Sequence, residues 1–130
     1  MLKILWIACG GGIGSVLRYL MQYSVQGLVG PTFPLGTLLV NVLGCLALGT
    51  LAAVFAGPIV VREEIRLGLT VGVLGGFTTF STFGLETFDI ASRGDEWSWM
   101  LAAANVVLSC GLGLLAIWAG TRIGHAWVGA

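Results

Sequence analysis

The sequence predicts an all-α membrane protein: four transmembrane helices, the third of them broken in its middle. Three observations carry this. Of the 130 residues, 57% are hydrophobic and 9% charged, whereas a soluble domain carries roughly 25% charged residues. All three prolines, Pro31, Pro34 and Pro58, fall between apolar runs that have the ~20 residues a membrane-spanning helix needs. The third observation is the stretch Gly75-Gly76-Phe77-Thr78-Thr79-Phe80-Ser81-Thr82-Phe83 inside one of those runs. Paired glycines followed by β-branched threonines disfavour a continuous helix. In lipid, a freed backbone group is costly unless protein covers it or it lines a cavity. A break at that depth marks a site, supplied with backbone carbonyls, hydroxyls and two phenylalanines, Phe80 and Phe83, spaced to share one helix face.

The first helix is expected over residues 4–25. Its start mimics a secretory signal, but the apolar run continues past Gly14 without a small-residue cleavage pattern, so it reads as a retained span. Gly10, Gly11, Gly12 and Gly14 provide a surface for close helix packing. They do not form a dinucleotide fingerprint, because Leu17 stands where the last glycine belongs and no strand precedes them. Gly30-Pro31 and Phe33-Pro34 mark the next connection, and the second helix is expected over 36–56, ending at Gly57-Pro58. Arg62, Glu63, Glu64 and Arg66 lead into the third span, expected over 67–90, where Gly68, Gly72 and Gly76 recur every four residues as a packing face. A polar connection at residues 92–96 precedes the fourth helix, expected over 97–120. Trp6, Trp97, Trp99, Trp118 and Trp127 stand near segment ends, as an aromatic belt would have them. Four helices place both termini on one side, where Lys3, Arg62, Arg66 and Arg122 outnumber Arg18 and Arg93 opposite; this predicts cytoplasmic termini.

Composition also excludes functions. A net charge of zero without a basic run argues against nucleic acid as a partner. Four spans with short connections leave no soluble domain to house an enzyme. Cys9, Cys45 and Cys110 are isolated and odd in number, which suggests neither a disulfide framework nor a metal cluster.

The polar residues inside the spans are the candidates for function. Asn41 lies among Leu, Val and Gly, so its amide either bonds a neighbouring helix or donates to something polar moving through the bundle. Asn105 and Ser109 are four apart on the fourth helix and, with Asn41, Thr79 and Ser81, outline a polar track. Arg18 either snorkels to the interface or lies in a watery vestibule that attracts anions, with Glu86 and Asp89 as possible ion-pair partners. Phe80 and Phe83 serve either as packing groups or as positive ring edges offered to a small anion.

Three motifs together resemble the Fluc (CrcB) family of bacterial fluoride channels. They are Gly11-Gly12-Ile13-Gly14-Ser15-Val16-Leu17-Arg18-Tyr19, Gly36-Thr37-Leu38-Leu39-Val40-Asn41-Val42-Leu43-Gly44 and the glycine–threonine–phenylalanine break at residues 75–83. The resemblance covers essentially the whole chain, and the third motif is its most specific part. It implies a dual-topology, antiparallel homodimer of the bacterial inner membrane that exports fluoride passively and relieves fluoride toxicity. It further implies pores lined by Asn41, Phe80 and Phe83, with Ser109 in the polar track and Arg18 in the vestibule. A structural sodium ion on the dimer axis, held by the backbone carbonyls of Gly75 and Thr78, is implied as well. Two positions depart from the pattern: Asn105 stands where a tyrosine is common, and Gly113 where the track has a serine.

Such a pore makes physical sense for fluoride. Hydroxyl and amide donors with ring edges replace its water without the deep trap that a buried cation would create. Two other classes compete with this reading. A small proton-coupled multidrug transporter needs a carboxylate within its first helix, and the first span here has none. A non-transporting membrane scaffold would account for the glycines but not for the break.

Overall fold

The computed structural model describes residues 1–129, whose regular secondary structure is all helical with no strand among them. Helix α1 spans Leu2–Val29 and α2 spans Leu35–Ala56. The third span is composite. Its first half joins α3 (Glu63–Leu67), a π-helical stretch (Gly68–Leu74) and the single turn α4 (Gly75–Phe77); its second half is α5 (Phe80–Ala91). Helix α6, Ser98–Val128, completes the chain. By length and composition, four of these units are able to cross a membrane.

The helices overrun the expected limits at their polar ends. Helix α1 continues to Val29 and stops at Gly30, whose φ of 79° a side chain would strain. The third span begins at Glu63, since Glu63 and Glu64 suit the positive end of a helix. Helix α6 passes residue 120 and ends at the left-handed Gly129. Its 31 residues measure about 46 Å, against the ~30 Å of hydrocarbon in a bilayer. The surplus turns carry Arg122, whose guanidinium lies 5.7 Å from the Trp118 ring centroid.

Two glycine-lined contacts build the bundle. Helix α1 packs on the first half of the third span, and α2 packs on α6. The backbones come so close that a Cβ on Gly14 would sit 2.1 Å from the Val73 carbonyl oxygen, and one on Gly120 would sit 2.2 Å from that of Leu46. Gly14→Ala and Gly120→Ala are therefore each expected to destabilise the fold by roughly 1–3 kcal/mol. Gly12→Ala, with nothing within 4 Å of the added carbon, is the control. Unfolding midpoints in detergent check this, and equal midpoints for all three variants would contradict it.

The ends are tied by polar contacts. Lys3 pairs with Glu63 at one end. At the other, the Arg93 guanidinium donates to the carbonyls of Thr32 (2.9 Å) and Pro31 (3.3 Å), joining the α1–α2 and α5–α6 connections.

Candidate functional site

The third span is interrupted for two residues. Thr78 (φ −79°, ψ 157°) and Thr79 (φ −151°, ψ 115°) are extended between helical neighbours. Their side chains terminate the helix on both sides. The Thr78 N–H and hydroxyl both donate to the Leu74 carbonyl at 3.0 Å, which closes the first half. Thr79 caps α5: its Oγ1 accepts the Thr82 N–H at 3.3 Å and lies 2.9 Å from the Thr82 hydroxyl.

Asn41, projecting from α2, binds the break. Its Oδ1 accepts the Thr79 N–H at 2.8 Å, and its Nδ2 donates to the Thr79 carbonyl at 3.0 Å. The amide thus replaces the helical turn that Thr79 lacks. Nearby, Gly44 leaves room for the break to dock, because a Cβ there would sit 2.2 Å from the Thr78 methyl.

The same bonds release two carbonyls. In a continuous helix the Thr79 N–H would go to Gly75, but it goes to Asn41. The Thr82 N–H would go to Thr78, but it goes to the Thr79 hydroxyl. Among the described residues no backbone or side-chain donor reaches the Gly75 or Thr78 carbonyl oxygen. These are the two carbonyls assigned to sodium by the resemblance. Neutral oxygen donors of this kind fit a hard monovalent cation. No group of three His, Cys, Asp or Glu side chains offers another metal site among the described residues.

A cleft of about 330 Å³ opens beside the break. Asn41, Gly75, Thr78, Thr79, Phe80, Phe83 and Ser109 all line it, and none of its lining residues is charged. The Phe80 and Phe83 rings are 5.5 Å apart and inclined by 46°, and Phe80 is 83% exposed in the single chain. Ser109 is distinctive. The hydroxyls of Thr50, Thr70, Thr78, Thr87, Ser92 and Thr121 each donate to the carbonyl four residues earlier, the habit of a hydroxyl in an apolar helix. The buried Ser109 hydroxyl has no partner among the described residues, a state it shares with Ser98 at the start of α6, which does not line the cleft. An Asn amide carries two N–H donors, and among the described residues only one of those on Asn41 is used. The cleft therefore holds an amide donor, a hydroxyl donor and two aromatic rings without a fixed charge. That set can replace the water around a small anion.

Other candidates stand apart from the cleft. Ser81 is exposed on α5 and does not line it. Arg18 is half-buried on α1, outside the cleft and without an ion pair among the described residues. The pairing of Arg18 with Glu86 does not form. Glu86 accepts the Thr37 hydroxyl at 2.9 Å, and Thr37 accepts Gln22 Nε2 at 2.8 Å, a chain that links α1, α2 and α5. Asn105 does not extend a track with Ser109; it is buried and turned to Thr87. Sequence reasoning misses Gln22 and meets Thr37 only as a member of the second motif, although polar side chains in apolar runs are the signal that marks Asn41.

Known proteins resemble the chain over nearly its whole length. The family described as CrcB-like protein, Camphor Resistance (CrcB), matches residues 5–121. A protein named fluoride-specific ion channel FluC from Geobacter sulfurreducens is 46% identical over 120 residues, covering 92% of this chain and 94% of its own. Its namesake in Solibacter usitatus is 43% identical over 122 residues, covering 94% of this chain and 98% of its own. One from Rhizobium etli is 41% identical over 128 residues, covering 98% and 100%. This chain belongs to the CrcB-like family.

Proposed function

We propose that this protein is a fluoride-selective channel that lets the ion leave the cell passively across the bacterial inner membrane and so relieves fluoride toxicity. The observation that carries the proposal is the uncharged cleft at the helix break, lined together by Asn41, Ser109 and the Phe80 and Phe83 rings. The names of the relatives, fluoride-specific ion channels, supply the anion. Helix α1 carries no carboxylate, which leaves a proton-coupled exchanger without its proton carrier. Fluoride efflux from liposomes holding the purified protein, with and without a protonophore, separates the two classes. A channel empties the vesicles at the same rate in the absence of any proton gradient, and an absolute need for the gradient would contradict it.

The working unit in this proposal is an antiparallel homodimer. The freed Gly75 carbonyl and the exposed Phe80 ring stand at membrane depth on a single chain. An uncovered backbone group there costs several kcal/mol, and a second copy is the simplest cover. Two antiparallel copies would bring four carbonyls together, two each from Gly75 and Thr78. A sodium ion bound there supplies positive charge to oxygens that have no donor. Because the ligands are backbone atoms, Thr78→Ser is expected to keep the ion, whereas Gly75→Leu is expected to disturb it. Activity measured after long equilibration in sodium, potassium or N-methylglucamine checks this. Sodium alone should sustain full efflux, and equal rates in all three would contradict the sodium site.

A further inference from the structure

Helix α5 carries Phe83 and is tied to α2 at its N-cap by Asn41 and in its middle by the Glu86–Thr37 bond. Once the helix breaks at Thr78 and Thr79, α5 leans mainly on α6 and only slightly on α2. Its seam with α6 is not tightly packed. A groove of about 720 Å³ runs along it, bordered by Phe83, Gly84, Thr87, Ala102, Ala103 and Val106. Apart from the Phe83, Phe88 and Trp99 rings, that border is made of small and β-branched side chains, so packing along the seam specifies the position of α5 against α6 weakly. The Glu86–Thr37 bond ties α5 to α2 rather than to α6.

One polar contact crosses the seam. Asn105, 1% exposed, donates from Nδ2 to the Thr87 hydroxyl at 2.8 Å. Thr87 in turn donates to the Phe83 carbonyl at 2.7 Å. No other side-chain hydrogen bond joins α5 to α6 among the described residues. The relay has a direction: Thr87 has one proton, spends it on Phe83, and accepts from Asn105. Proton donation along a chain strengthens each bond in it.

We infer that Asn105 is a positioning residue, acting through Thr87 to fix the Phe83 ring in the cleft. The inference rests on the channel reading and deepens it. Asn105 never touches the ion; it sets where α5, and with it Phe83, stands relative to α6. A ring held loosely presents its edge to fluoride only part of the time and lets the cleft admit larger anions.

The test compares fluoride and chloride efflux from liposomes for the parent, Asn105→Leu, Thr87→Val, the double variant and Thr87→Ser. Val matches Thr in shape and removes only the hydroxyl, so Thr87→Val probes the relay even where Asn105→Leu fails to assemble. The expected result is a fall of about tenfold in the fluoride-to-chloride ratio for each single variant, the scale of one lost hydrogen bond. The double variant should match the singles, since both remove the same bond, and Thr87→Ser should restore the parent ratio. Selectivity is the deciding readout, because a residue that merely supports folding would lower both fluxes together. An unchanged ratio in folded Thr87→Val, or assembly lost in both single variants, would overturn the inference and leave the channel reading standing. A parent that fails to conduct fluoride would overturn both.

Discussion

Asn41→Asp is expected to abolish fluoride efflux, by at least ~100-fold, while the protein still assembles. The parent amide has two tasks. Its Oδ1 and Nδ2 hold both backbone groups of Thr79 at 2.8 and 3.0 Å, and its second N–H is free to donate inside the cleft. An ionised aspartate loses both donors. It also sets a negative charge against the Thr79 carbonyl and against any entering anion. A protonated aspartate keeps one donor, which the Thr79 carbonyl consumes, so none remains for the ion. Leaving a buried acceptor unsatisfied costs about 1–3 kcal/mol, and about 2.8 kcal/mol corresponds to a hundredfold. Size-exclusion profiles alongside efflux rates check the expectation. Near-parental flux from a correctly assembled Asn41→Asp protein would reduce Asn41 to a helix tie.

Phe80→Leu and Phe83→Leu are each expected to lower fluoride flux by about tenfold with little change in stability. Leucine keeps much of the volume and is equally at home in lipid. It lacks the positive edge that an aromatic ring offers to an anion. The two rings lie 5.5 Å apart at 46°, close enough that one ion can meet both. If a ring edge is worth to an anion what it is worth to a second ring, about 1.4 kcal/mol at the upper end, losing one gives that tenfold. If both leucine variants conduct like the parent, the rings are packing groups and the donors alone carry the ion.

The helix break was legible in the sequence because glycine pairs and threonines are poor helix formers in a setting where a broken helix is costly. Its exact form was not. Thr78 and Thr79 each terminate one half through their own hydroxyls, a choice that depends on backbone angles. Asn41 was singled out as a buried amide, with its two roles left open. The structure gives it the interhelical bond and still leaves a donor over, because a primary amide has two protons. Asn105 and Ser109, four apart, suggested a common track, yet spacing along one helix does not reveal the neighbour opposite each residue. Thr87 on α5 captures Asn105 and leaves Ser109 alone in the cleft. Helix ends were the least legible, since polar residues such as Arg122 extend a membrane helix into the interface without a breaker to mark the exit.

Fluoride selectivity is tested most directly by efflux from liposomes loaded with fluoride and chloride together and reconstituted with the purified protein. Fluoride is expected to leave rapidly through the uncharged cleft while chloride stays inside. Equal loss of both anions, or retention of both by a correctly assembled protein, would contradict it.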